Sequence, residues 1–495
     1  MMGERKYDKA VLLIALLYVL FSGCRKEDVY FSGDAQLAIS ADTLYFDTVF
    51  TTIGSATRII KLYNLENEPV LVDINLQQGD DSFFRINADG YSGNVLKDVE
   101  IGAKDSIYIF AEVTINPDMS VSESPFVIEE NLIITQGGKE SNIVFTAWGQ
   151  NANYISMAGT FGLLTCDNQS LILDDPKPYV IYGILVIDDC SLVFPKGAKI
   201  HIHGGIAATP ENQYYNDGQI IVLENGKLIV DGTYEEPVII QGDRLEPAYE
   251  EVEGQWGGIR IFESSKGSFI NNAVIKNSLV GVFVDSAAEL TIKNTVVKNT
   301  SGSGIIGYHS KIQGDNLLIY NNGGSCFQGS YGGNYSFTYS TFGSYVNQNE
   351  AIAVNNKKCL DLSSDFSCSV LVAVNPLNIS LTNCIIAGAS SDEILLDDFT
   401  GDKIKSDFTY TLKNSIVKVA DLLKSDQYPN FFENCEGCYN LKQNDKLFLN
   451  QPLDNYKLDT MSVALDKALY LPAFPKDIIG KDRNNQSPDI GCFEF

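Results

Sequence analysis

The chain has 495 residues, 44% of them hydrophobic and 20% charged, a balance that can bury a large core. Its formal net charge of −27 argues against nucleic acid, which is held mainly through phosphates, and against anionic polysaccharides unless metal ions intervene. At the N-terminus Arg5, Lys6 and Lys9 precede an unbroken apolar run from Ala10 to Phe21. That run has signal-peptide length and is too short to span a bilayer. It ends in Phe21-Ser22-Gly23-Cys24, with small residues ahead of a cysteine.

That ending resembles the lipobox of bacterial lipoproteins. The resemblance implies a signal peptide over 1–23, lipid attached to Cys24, and the membrane as a partner through two or three acyl chains, which anchor stably where one does not. The alternative is an ordinary secretory signal with a chance cysteine. Arg25 stands where some lipoproteins carry the aspartate that retains them at the inner membrane, so the expected location is the outer membrane, with cell-surface exposure left open. Residues 24–35 read as a polar tether.

From 36 to 153 short strands alternate with turns. Ile107, Ile109, Ala111, Val113 and Ile115 share one parity, the period of a strand with one buried face. Ala56–Asn64, Val70–Leu76, Phe126–Gln136 and Asn142–Gly149 behave alike, with Asp80-Asp81 and Gly138 as turns. The spacing predicts a β-sandwich. The pieces Leu44-Tyr45-Phe46-Asp47-Thr48-Val49, Ile101-Gly102-Ala103-Lys104-Asp105 and Ala147-Trp148-Gly149 resemble immunoglobulin-like domains of the Hydin-like (ASH) type, which implies a spacer or protein-binding module.

The remainder, 154–495, is a repeat body. Ile270-Asn271-Asn272-Ala273-Val274-Ile275, Ile292-Lys293-Asn294-Thr295-Val296-Val297 and Gly314-Asp315-Asn316-Leu317-Leu318-Ile319 align at a period of 22. Asn277, Asn299 and Asn321 keep the same period, and Asn383 and Asn414 restate it later, with Tyr339 in one asparagine slot. One copy cannot bury its own apolar face, but stacked copies bury a continuous core, and asparagine at a fixed place per coil can form an amide ladder. The 67 residues between Asn316 and Asn383 are close to three periods. The helix is therefore expected to continue there beneath loops, with Phe337–Phe342 as a coil beside Asn316 and residues 343–378 leaving the wall at least once.

The series Leu228-Ile229-Val230-Asp231-Gly232-Thr233, Pro237-Val238-Ile239-Ile240 and Gln255-Trp256-Gly257-Gly258-Ile259, with the closing Ile478-Ile479-Gly480-Lys481-Asp482-Arg483, resembles bacterial right-handed parallel β-helix repeat proteins of the pectate-lyase-like kind. The expected fold class is all-β, an immunoglobulin-like sandwich followed by that helix with inserted loops and a C-terminal closing segment.

Polymer-cleaving enzymes of that kind use acidic clusters with Ca²⁺ or paired carboxylates. No such set recurs in register here, and Asp285 and Asp315 each fit a turn. The expectation is a non-catalytic envelope protein that binds a glycan or a surface protein, the alternative being a polysaccharide lyase or glycoside hydrolase. The candidate ligand contacts are Trp256 with Arg260 and Arg244, and Tyr249, Tyr214 and Tyr215 in polar insertions, since aromatic rings beside arginine can stack on sugars. No metal or cofactor is expected, although the acidic loop Asp397-Asp398-Phe399-Thr400-Gly401-Asp402 has oxygens suited to Ca²⁺. His201 and His203 share one strand face, which is read as solvated. Of the ten cysteines, Cys359 could pair with Cys368, and Cys435-Glu436-Gly437-Cys438 reads as a loop disulfide or two free thiols rather than a redox centre.

Overall fold

A computed structural model describes residues 31, 33, 35–50, 57–114, 126–156, 162–164, 166, 169–208, 214–359, 371–399, 407–424, 428, 430–433 and 435–495. The described residues hold no α-helix, and none of their helical turns is long and apolar enough to cross a membrane. Cys24 and Cys368 lie outside them, and so does most of the segment between Cys359 and Cys368. The chain falls into two compact units that divide at Gln150/Asn151.

The first unit is built from two five-stranded sheets. Strand Ser106–Val113 buries every second residue, as its period of two requires. Phe84 of one sheet meets Phe46 and Phe145 of the other at 5.1 and 5.3 Å between ring centroids, so a single core joins both.

In the second unit three long parallel sheets of eleven, nine and ten strands form the walls of a right-handed β-helix. Strand Asn153–Ser156 pairs with Tyr179–Tyr182 in the eleven-stranded wall, so the helix begins one residue ahead of the boundary read from the sequence. Each strand pairs with its counterpart one coil away. Ile200, Ile240, Ile275, Val297, Ile319, Phe342, Ile386 and Val417 are successive partners along that wall, all fully enclosed. Such runs are what turn a repeat that cannot fold alone into a continuous core.

The asparagine slots have a backbone reason. Asn272, Asn294, Asn316, Tyr339, Asn383 and Asn414 all have φ between 44° and 56°, the left-handed region that asparagine tolerates better than most residues. Each bends the chain from the ten-stranded wall into the eleven-stranded one. The ladder itself is partial. Asn316 donates through Nδ2 to Asn294 Oδ1 at 3.0 Å, but Asn294 donates to Asn271 Oδ1 rather than to Asn272, which turns to Gly232 O. The later slots hold the closing segment instead. Asn383 exchanges two hydrogen bonds with the Leu469 backbone, and Tyr339 donates to Leu469 O. In the second series Asn277 donates to Glu250 O and Val252 O, and Asn321 to Asp454.

Strand Gly333–Thr338 pairs directly with Lys311–Asp315, so the aromatic copy is a coil beside the Asn316 coil. The 67-residue interval holds two coil steps rather than three, since strand Gly333–Thr338 pairs directly with both Lys311–Asp315 and Leu377–Thr382, and Tyr339 is the one bend of this series among the described residues within it. The surplus length goes into an antiparallel hairpin, Lys357–Cys359 with Leu371–Val374, that leaves the wall. Phe327, Tyr335, Phe337 and Phe342 fill the interior of this coil with centroids 4.8–5.3 Å apart. A Cβ on Gly307 would lie 2.5 Å from the Tyr335 ring, so glycine is required opposite it.

The closing segment covers the outer face of the eleven-stranded wall, where Leu447, Leu458, Ala464 and Ile490 pack on Ile385, Ala387 and Ile416. Cys166–Cys190 and Cys435–Cys438 are disulfides, the second as the loop spacing suggested, while Cys326, Cys384 and Cys492 are buried thiols.

Candidate functional site: a cleft at a corner of the helix

The parallel register fixes where side chains of successive coils stand. Glu289, Lys311, Asn334, Asn378 and Thr409 are successive partners along the ten-stranded wall, and all point outward because their neighbours in sequence face the core. They line one cleft of about 600 Å³ together with Ala287, His309, Pro376 and Asp407. Neighbouring coils are spaced by about 4.8 Å, so the row presents a polar group at each such step along the axis.

Part of the row is bonded internally. Lys311 approaches Glu289 at 3.4 Å, Asn378 Nδ2 reaches Asn334 Oδ1 at 3.5 Å, and Thr409 Oγ1 donates to Asn378 Oδ1 at 3.0 Å. Glu289 also has Lys266 within 3.9 Å. The side chains of Lys311 and Lys266 are 62% and 67% exposed, so these ion pairs are cheap to exchange for ligand contacts.

The lip of the cleft follows the corner between the nine- and ten-stranded walls. Ala287, His309 and Tyr331 stand at bends there with φ of 58°, 48° and 65°. The Tyr331 ring lies 5.1 Å from His309 and 5.4 Å from Tyr308, with Lys358 Nζ 5.1 Å above it. Asn375 Nδ2 lies 3.2 Å from His309 Nδ1. Lys358 and Asn375 belong to the hairpin excursion and its return, so the insertion meets the lip of the cleft at Tyr331 and His309.

The residues singled out in the sequence do not assemble. Trp256 is 1% exposed and donates through Nε1 to Lys276 O at 2.9 Å. It packs the helix and offers no face to a sugar, which corrects its ligand role. Arg244 lies 3.7 Å over the Tyr249 ring while Glu246 holds its guanidinium at 3.0 Å, so the arginine itself occupies that ring face. Arg260 is on another wall, ion-paired to Asp285 at 3.0 Å between Phe262 and Phe283. Tyr214 and Tyr215 form a short hairpin strand with Gly205–Ala208, and their side chains lie outside the described residues.

His201 is also corrected. It is 4% exposed rather than solvated, and burial pushes its imidazole down to about 4. His203 is the exposed partner of that strand face, and its hydrogen bond to Asp243 at 2.7 Å raises its pKa. Asp397 pairs with Lys357 at 3.0 Å and Asp398 accepts from Asn356 at 2.7 Å, so the described part of the acidic loop is already bonded. Among the described residues no group of three or more His, Cys, Asp or Glu side chains could hold a metal ion. Asp285 does sit at a turn, accepting from Ser286 N, whereas Asp315 is enclosed beside Lys293 at 3.6 Å.

The cleft row was within reach of the sequence. Glu289, Lys311, Asn334, Asn378 and Thr409 each stand five residues ahead of the bend residues Asn294, Asn316, Tyr339, Asn383 and Asn414. The register that located the bends therefore also fixed this outward position. Asp407 and the Tyr331–His309 lip carry no comparable signal.

A family model described as a right handed beta helix region matches residues 179–342. No curated protein matches the chain. Among solved structures, the catalytic unit of a thermostable GH87 α-1,3-glucanase from Streptomyces thermodiastaticus is similar at 9% identity over 72% of this chain and 73% of that one, with a TM-score of 0.23. A periplasmic alginate epimerase is similar at 11% identity over 55% and 80%, with a TM-score of 0.23. A protein of unknown function from Porphyromonas gingivalis is similar at 12% identity and a TM-score of 0.18; the match covers 26% of this chain and 60% of that protein's length.

Proposed function

We propose that this chain is a lipid-anchored protein of the bacterial outer membrane that holds a glycan along its helix-corner cleft without cleaving it. The observation that carries the reading is the outward row Glu289–Lys311–Asn334–Asn378–Thr409 inside one cleft. Donors and acceptors repeated at a constant step suit a polymer whose own hydroxyls repeat. The ligand is uncharged in this reading, because a chain of net charge −27 repels polyanions and the cleft offers carboxylates beside its lysine. The reading involves no metal. Screening the lipid-free chain against immobilised neutral and anionic glycans tests it: retention of neutral polymers supports it, and retention of none contradicts it.

Glu289 and Asp407 line the same cleft but stand four coil steps apart, about 19 Å at about 4.8 Å per step, whereas acid–base cleavage of a glycosidic bond uses two carboxylates about 5–10 Å apart. Release of shorter oligosaccharides from the retained polymer would select a cleaving enzyme over the first reading.

The anchor rests on Phe21-Ser22-Gly23-Cys24. Cys24→Ala is expected to move the protein from the membrane fraction to the soluble one, or to block its processing. An unchanged membrane fraction contradicts the anchor.

A further inference from the structure

We infer that the N-terminal unit carries a second saccharide site, independent of the helix cleft, in the open cleft over its paired strands Phe84–Ala88 and Ser106–Val113. The cleft measures about 760 Å³ and is lined by Arg85, Asn87, Ser92, Asn94, Phe110 and Glu112, among others. Its floor is the outer face of the sheet, where Arg85 stands opposite Glu112 and Asn87 opposite Phe110.

Three observations define the ligand. Phe110 is 38% exposed and lines the cleft, while Tyr108, 6.1 Å from it, lies outside the lining with Lys61 Nζ 4.5 Å over its ring. The Phe110 ring is thus the uncovered apolar face of the cleft floor. Arg85 and Glu112 face each other across neighbouring strands, so the cleft presents strong donors and strong acceptors with no net charge. Among the described residues Glu112 has no ion-pair partner, and Arg85 bonds only through Nη1, to Ser82 O and Phe84 O. Lastly, Asn94 is 5% exposed and gives both amide hydrogens away, to Gly79 O at 2.9 Å and Phe84 O at 3.2 Å. Its Oδ1 accepts no hydrogen bond among the described residues, a state that buried acceptors rarely keep.

An uncharged saccharide ring meets all three demands. It has a flat C–H face for the aromatic floor, and hydroxyls at its rim that both donate and accept. A peptide added as an extra strand does not fit, because the outer edge of Phe84–Ala88 is already closed. Gly93 N donates to Ile86 O, Asn94 Nδ2 to Phe84 O, and Tyr91–Ser92 pairs with Asn87–Ala88.

The test is titration calorimetry of the full lipid-free chain with cello-, manno-, xylo- and chito-oligosaccharides. At least one is expected to bind the wild type, with Phe110→Ala and Glu112→Gln each weakening it about tenfold or more, or removing one site from the stoichiometry. Both residues are exposed, so the melting temperature is expected to stay unchanged. Lys311→Ala, which alters only the helix cleft, is expected to leave this binding in place. The inference is overturned if none of the four series binds the wild type, or if Phe110→Ala and Glu112→Gln leave affinity and stoichiometry unchanged. A loss caused by Lys311→Ala alone overturns it too, and leaves the helix-cleft reading standing.

Discussion

Asn316 donates through Nδ2 to Asn294 Oδ1 at 3.0 Å, across two coils that are 22 residues apart in the chain. Each of the two residues holds a left-handed bend, and each spends its amide on the neighbouring coil. Asn294→Leu leaves the Asn316 amide with one partner fewer and places a bulky side chain at φ 47°. A loss of about 1–3 kcal/mol is expected, read from urea or thermal unfolding. Asn294→Gly keeps the bend and is expected to cost less. Equal stability of Asn294→Leu and wild type contradicts the structural role of the bend.

Arg483 fastens the closing segment to the ladder. Its guanidinium donates to Asn316 Oδ1 at 2.9 Å and Gly491 O at 3.0 Å, pairs with Glu494 at 3.3 Å, and lies 3.8 Å over the Tyr339 ring. The Arg483 side chain is fully enclosed, so removing its charge strands a buried carboxylate. Arg483→Met is expected to destabilise the fold by about 3–5 kcal/mol. Limited proteolysis is expected to release the segment from about Leu447 onward before the coils are cut. Wild-type resistance in the variant sinks this account.

His201 and His203 respond to pH in opposite directions. Burial holds the folded His201 at about 4, below its unfolded value of about 6.5, so the unfolded chain takes up the proton first. Its contribution is intact above about pH 6.5 and is lost as the pH falls towards 4, by about 3 kcal/mol in all. His203 has the opposite sign, since Asp243 raises its folded pKa. Its stabilisation is full below the unfolded value and is lost as the pH rises through the folded one. With the side chain 47% exposed, the effect is within about 1 kcal/mol. Melting curves of His201→Gln between pH 4 and 7 are expected to be flatter than those of the wild type. Parallel curves contradict the assignment.

What was legible in the sequence follows from what repeats. The slots at Asn272, Asn294 and Asn316 announced the helix because each coil needs a left-handed bend at the same place, and asparagine tolerates that bend. Tyr339 belonged to the series for the same reason, and the surplus length before Asn383 pointed to an excursion that the hairpin from Lys357 now fills. The candidate site was not legible because aromatic–arginine proximity in sequence is not proximity in space. Trp256 turns inward at an isolated bridge to Ser278 ahead of its strand, although it shares the parity of the outward Arg260; Arg244 and Tyr249 satisfy each other, and Arg260 belongs to another wall. His201 was read as solvated because a strand face tells which way a side chain points and not what later folds over it. Nothing local in the sequence could have announced the pairing of Asp407 with a cleft founded on Glu289, more than a hundred residues earlier.

The central claim, that the helix-corner cleft holds an uncharged glycan, is met most directly by one comparison. The glycan retained best by the wild-type chain is titrated calorimetrically into the Lys311→Ala, Asn378→Ala double variant. Both side chains sit on the outer face of the wall, so folding and melting temperature are expected to stay as they are. The account predicts a loss of about tenfold or more in affinity, roughly 1.4 kcal/mol, without appearance of shorter products in either protein. Unchanged affinity in the double variant would contradict it.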